Sequence, residues 1–142
     1  MRFIRVLVAL LVATLLGAGL TTVVSGPAQA AKKFDRVLEE EDPRDNTLTY
    51  NAKLLKGIVT LPQVDGTVLP YANGKVLIQK KKCGKCKWKV VQKIKTKANG
   101  KYKTRIFVPK TGVWKWRVYI KGNATYAATK GNAWNLYFDS RG

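Results

Sequence analysis

Residues 87–121 read KWKVVQKIKTKANGKYKTRIFVPKTGVWKWRVYIK, and the period of this stretch decides the fold. Trp88, Val90, Gln92, Ile94 and Thr96 alternate with Lys87, Lys89, Val91, Lys93, Lys95 and Lys97. Tyr102, Thr104, Ile106 and Val108 alternate with Lys101, Lys103, Arg105 and Phe107. Trp114, Trp116, Val118 and Ile120 alternate with Lys115, Arg117, Tyr119 and Lys121. A period of two, apolar on one side and charged on the other, marks a half-buried antiparallel strand. Asn99-Gly100 and Lys110-Thr111-Gly112 supply the turns, because Gly and Asn tolerate the positive φ of a tight hairpin.

The same alternation recurs on both sides of this block. Trp134, Leu136 and Phe138 alternate with Asn135, Tyr137 and Asp139. Lys53–Leu61 and Lys75–Lys82 read as two further strands, with Leu55, Val59, Leu61, Val76 and Ile78 facing inward. A short strand fits at Thr47–Asn51, and Asp65-Gly66, Asn73-Gly74 and Gly122-Asn123 add turns. Six or seven short strands in roughly 100 residues predict an all-β, antiparallel β-sandwich. All four tryptophans, Trp88, Trp114, Trp116 and Trp134, are expected in its interior, leaving Tyr71, Tyr119, Tyr126 and Tyr137 as candidates for exposed aromatics.

The whole chain has 142 residues, 27 Lys+Arg, 8 Asp+Glu and no His, for a formal charge of +19. Without His there is no His-based acid–base catalysis and no His metal ligand. Two Cys do not complete a four-ligand zinc site within one chain, so neither a metal nor a cofactor is expected. Residues 1–30 have the layout of a secretory signal peptide. Arg2 and Arg5 precede the uncharged run Val6–Leu20, and Ala28-Gln29-Ala30 offers a small-x-small cleavage site. The alternative is an uncleaved anchor, but the run is short of the roughly 20 apolar residues of a full span. No later segment is apolar enough to cross a bilayer, so none is expected after cleavage, and the protein is expected to be extracellular.

The remainder divides by charge. Residues 31–45 hold six acids and four bases and read as an acidic mobile arm. Residues 46–142 hold 21 bases and only two acids, Asp65 and Asp139, and read as the folded domain. Glu39, Glu40, Glu41 and Asp42 are either part of a solvated linker or a segment that folds back on the basic face and competes with its ligand.

Thr96-Lys97-Ala98-Asn99-Gly100-Lys101-Tyr102 resembles the T-x-A-x-G-x-Y hairpin of secreted bacterial immunoglobulin-like and prealbumin-like domains. Gly57-Ile58-Val59 and Tyr71-Ala72-Asn73-Gly74-Lys75-Val76-Leu77-Ile78-Gln79 look like that family's opening strands, and Trp88 like its recurrent strand Trp. Trp116-Arg117-Val118 and Gly122-Asn123-Ala124-Thr125-Tyr126 look like its late strand and loop, so the likeness covers residues 54–130. It implies an extracellular binding, adhesion or spacer module and not an enzyme. The Lys-rich surface departs from the Ser, Thr and Asp surfaces common in that family.

Cys83-Gly84-Lys85-Cys86 lies between two strand-like runs. A Gly-X hairpin loop brings the flanking cysteines within reach of a bridge, and export favours its oxidation. A redox Cys-x-x-Cys is the alternative, but the βαβ setting of that chemistry is missing.

The outward positions gather into a candidate polyanion site: Lys87, Lys89, Lys93, Lys95, Lys103, Arg105, Lys115 and Arg117, with Phe107 and Tyr119 as aromatic contacts. These side chains are expected on one sheet face. Like charges facing each other across a strand pair are destabilising, and an anionic partner removes that penalty. The expected partner is an anionic extracellular polymer or cell-envelope surface. Scarce Arg argues for diffuse attraction and against sequence-specific nucleic-acid readout. The competing expectation is an adhesion module with a protein partner, its lysines serving solubility alone.

Overall fold

The computed structural model describes residues 32–138; the expected signal peptide, residues 1–30, lies outside them, as do Ala31, Asp139 and the last residues of the chain. Ten strands follow in order: β1 (Val37–Glu40), β2 (Thr47–Thr49), β3 (Ala52–Pro62), β4 (Val68–Pro70), β5 (Lys75–Lys81), β6 (Lys89–Lys95), β7 (Lys101–Phe107), β8 (Val113–Ile120), β9 (Thr129–Lys130) and β10 (Trp134–Tyr137). No helix occurs among the described residues, and all strand pairings are antiparallel.

Two sheets form. In the first, the long β3 pairs β7 and then β4 along one edge, and β2 and then β1 along the other. In the second, the order is β10-β8-β5-β6, with β9 continuing the β10 edge. Their inner faces share one core: Leu55 and Val59 from β3, Val76 and Ile78 from β5, Tyr102 and Ile106 from β7, Trp116, Val118 and Ile120 from β8, and Leu136 from β10. The buried core and the residues packed on it run from Leu38 to Phe138. The period-two reading placed these residues correctly because a single shared interior fixes in from out.

Hydrogen bonds bridge the gaps between the sheets. Gln92 of β6 donates Nε2–H to the Arg105 carbonyl at 2.9 Å and accepts from the Thr104 hydroxyl at 2.5 Å. On the other side, the chain before β1 bridges to residues 125–127, with the Phe34 N–H bonding Thr125 O and the Ala127 N–H bonding Phe34 O, each at 2.9 Å. Edges closed in this way do not template pairing with another chain. Gly100 makes the β6–β7 turn at φ +81°, where a Cβ would stand 2.4 Å from Val59 O. Only glycine meets both demands.

Three expectations are corrected. The described part of the expected arm, residues 32–45, is not mobile chain: it carries β1, with Leu38 opposite Val59 and Glu40 opposite Gly57. Arg36 is 6% exposed, its guanidinium between the rings of Tyr71 and Tyr126 at 5.2 and 5.3 Å, and its Nη1–H bonds Ala127 O at 2.9 Å. Tyr126 is therefore buried and Tyr71 half-buried, not free aromatics. Trp88 is the third correction. A bulge in β6 sets Gln92 opposite Ile78 but Val90 opposite Gln79, leaving Val91 unpaired. The extra residue reverses the facing of everything before it. Trp88 thus lies on the outer face of the second sheet, while Trp114, Trp116 and Trp134 keep their inward places.

Candidate functional site

The expected basic face is two faces. Register assigns Lys93 and Lys95 of β6 and Lys115 and Arg117 of β8 to the outer side of the second sheet, with Tyr119. Lys103, Arg105 and Phe107 belong to β7, which pairs β3 in the first sheet, so they point outward on the opposite side. Lys87 sits in the β5–β6 connection, and Lys89, opposite Lys80, falls before the bulge and turns to the inner register. The physical reason is the Asn99-Gly100 turn, which carries the chain across from one sheet to the other. Alternation reports inside against outside; it does not report which layer a strand joins.

On the second sheet, cations stand directly opposite one another at Lys75–Lys95 and Lys81–Lys115. Between these rows Arg117 donates Nε–H to Gln79 Oε1 at 2.7 Å, and its guanidinium lies 4.2 Å from the Trp88 ring centre. Lys81 approaches the same ring at 5.8 Å. Gln79 is buried beneath this arrangement although it faces outward. Cation–π contact of this kind holds charged heads in place without neutralising them.

The first sheet is different. Its outer face has acids beside the bases: Glu39 lies in the same row as Ile58 and Lys101, and Glu41 pairs Lys56 at 2.6 Å. A trough of about 480 Å³ runs between them, lined by Glu39, Glu41, Lys56, Lys97, Lys101 and Lys103 among others. The acidic segment does reach a basic face, as a strand of that sheet. From Gly66 to Phe138 the chain has sixteen lysines, two arginines and no carboxylate. Among the described residues the ion pairs are Arg44–Asp42 and Lys56–Glu41, neither on the second sheet.

Glu40 points inward from β1. It accepts the Asn132 N–H at 2.7 Å and the Tyr102 hydroxyl at 3.4 Å, and the buried, otherwise unpartnered Trp134 N–H faces it. Burial lifts its carboxyl above the ordinary range, the hydrogen bonds only partly opposing this. Burial, and then the Glu40 charge, push the Tyr102 phenol up. A raised folded-state value means that protonation favours the folded state. The contribution is complete below the ordinary carboxylate range and is lost as pH rises through the raised value. Glu40→Gln keeps an acceptor and cannot titrate. As pH falls from neutrality into the ordinary carboxylate range the wild type gains stability relative to this variant; a constant difference in melting temperature contradicts the assignment.

Cys83 and Cys86 are bridged, with Cα atoms 5.0 Å apart, inside a β5–β6 connection that spans residues 82–88. The loop closed is small, so replacing both cysteines with serine is expected to cost about 2 kcal/mol by the chain-entropy relation. Chemical denaturation measures this, and an unchanged midpoint rejects it. Two lysines crowd the same region: Lys80 lies 4.1 Å from the Trp114 ring and 5.3 Å from that of Trp116, and Lys82 lies 5.3 Å from Trp114. Burial, then the neighbouring Lys82 charge, hold the Lys80 ammonium below the ordinary lysine range. No group of three or more potential metal ligands occurs among the described residues. Comparison with family models, with curated proteins and with solved structures finds no match for the chain.

Proposed function

We propose that the chain is an exported, non-catalytic module of immunoglobulin-like type that binds a polyanion through the outer face of its second sheet. The strand orders β1-β3-β7 and β10-β8-β5-β6 support the fold assignment. Counting β1, β3, β5, β6, β7, β8 and β10 alone, the second and fifth share one layer and the third, sixth and seventh the other, as in immunoglobulin sandwiches, while the fourth joins the layer of the third. The apolar run Val6–Leu20 and the Cys83–Cys86 bridge support export.

One observation carries the binding assignment: the second sheet sets lysines opposite lysines, with Arg117 fixed between them and no carboxylate from Gly66 to Phe138 to offset them. Like charges paired across strands cost up to about 1 kcal/mol per pair. A polyanion removes that penalty and releases its counterions. Lysine heads on flexible stems suit diffuse attraction to repeated phosphate, sulfate or carboxylate groups. The partner class is an acidic polymer or an anionic cell-envelope surface. If the lysines serve solubility alone, the two sheet faces are equivalent for binding. Neutralising each face separately and measuring retention on immobilised inorganic polyphosphate distinguishes the two readings.

A further inference from the structure

One end of the molecule combines exposed apolar groups with cations. Register brings four segments there. Thr49 and Phe107 flank Ala52, Lys81 stands opposite Lys115, and Val113 stands opposite Tyr137. The Tyr50 and Phe138 rings meet at 6.1 Å. Around this end Leu48 is 45% exposed, Tyr50 54%, Phe107 46%, Val113 47% and Tyr137 51%. These side chains come from β2 and the β2–β3 turn, the ends of β7 and β10 and the start of β8, so the fold gathers them from distant sequence. The two basic stretches of this end, residues 80–89 and 108–115, which take in the two connections and the strand ends beside them, hold eight lysines and no acid. Lys82, Lys85 and Lys110 are exposed on them, and the Cys83–Cys86 bridge ties the longer one.

We propose that this end docks on an anionic lipid bilayer, its apolar ring entering the boundary between headgroups and acyl chains while the lysines engage lipid phosphates. The polyanion reading above supplies the electrostatic part; the apolar ring adds what a soluble polymer does not satisfy. An acidic polymer offers charge but no hydrocarbon. An uncharged protein surface offers apolar contact but no counter-ions for eight lysines. An anionic bilayer offers both, and aromatic side chains with one polar and one apolar end favour its interface. At the opposite end Val64, Val68 and Leu69 are also exposed; their own hairpin, residues 62–70, carries Asp65 and no lysine, and the neighbouring Lys97 and Lys101 line a trough that Glu39 and Glu41 share.

The test uses residues 31–142, which contain the whole core described above. Its probes are vesicles of phosphatidylglycerol and phosphatidylcholine, vesicles of phosphatidylcholine alone, and immobilised polyphosphate. The protein is expected to bind the mixed vesicles and not the neutral ones. The triple variant Leu48→Ser, Phe107→Ser, Val113→Ser, confirmed folded by its melting curve, is expected to lose about tenfold in vesicle affinity at about 0.15 M salt. Its retention on polyphosphate stays within roughly twofold, since no charge changes. Equal vesicle binding by variant and wild type overturns the lipid assignment, as does vesicle binding that salt abolishes as completely as polymer retention. Should the variant unfold, Tyr137→Ser alone is measured in its place with the same two outcomes. Loss of polymer retention by the wild type strikes the polyanion reading instead, and the two failures are thereby separate.

Discussion

Replacing Arg36 with alanine lowers stability by about 3 kcal/mol, and the melting temperature by roughly 10 °C or more. The guanidinium is buried between two tyrosine rings and donates to a backbone carbonyl 91 residues away. Truncation removes both contacts, leaves the ring faces without partners and frees the segment that joins β1 to residues 125–127. The charge itself is a lesser part of the effect. Arg36 Nε is buried without a partner, and no ion pair neutralises the group among the described residues. A buried charge replaced by an apolar side chain of similar reach is often tolerated. Arg36→Met is therefore expected to recover at least half of what Arg36→Ala loses. Equal losses would make the charge decisive, and no loss in either would make the clasp ornamental. Removing residues 31–45 goes further: β3 loses the strand along one edge, and Pro43, fully buried, leaves with it. That truncation is expected to abolish cooperative unfolding, which thermal denaturation followed by near-UV circular dichroism checks.

Much of the fold was legible because one core serves both sheets. Leu55, Val76, Ile106, Val118 and Leu136 could be set inside from alternation alone, since period two with a buried side admits only one facing. The part that escaped reading follows from physics that alternation does not record. The acidic segment looked unstructured because Glu39, Glu40 and Glu41 dominate its composition. Its fold depends instead on Leu38 and Arg36, whose partners Tyr71 and Tyr126 lie far along the chain. Trp88 looked interior because the bulge at Val91 leaves no mark in a sequence where Val90 and Val91 are adjacent. The basic site was legible in composition and not in layout. Lys93 and Lys103 share outward parity, yet the β6–β7 turn sends them to opposite sides. Gln92, whose amide reaches β7, is the visible trace of that crossing.

The two faces now carry different expectations. Neutralising Lys81, Lys93, Lys95 and Lys115 to glutamine removes four cations that have no ion-pair partner among the described residues. Arg117 stays in place, so its bond to Gln79 and its contact with Trp88 are undisturbed. Affinity for polyphosphate is expected to fall roughly a hundredfold at low salt, and the slope of log affinity against log salt to become shallower by about three. Folding stability should hold or rise, because the Lys81–Lys115 and Lys75–Lys95 oppositions disappear. The matched set on the side of the first sheet is Lys97 of the β6–β7 turn with Lys101, Lys103 and Arg105 of β7, again four charges. There Glu39 and Glu41 already repel an anion, so the expected loss is below about fivefold.

The most direct measurement is the ratio of these two losses, taken by polyphosphate titration of both quadruple variants at one ionic strength. Binding through the second sheet requires a markedly greater loss for Lys81, Lys93, Lys95 and Lys115. Equal losses from equal charge removal would show that net charge alone attracts the polymer, and would contradict a dedicated face.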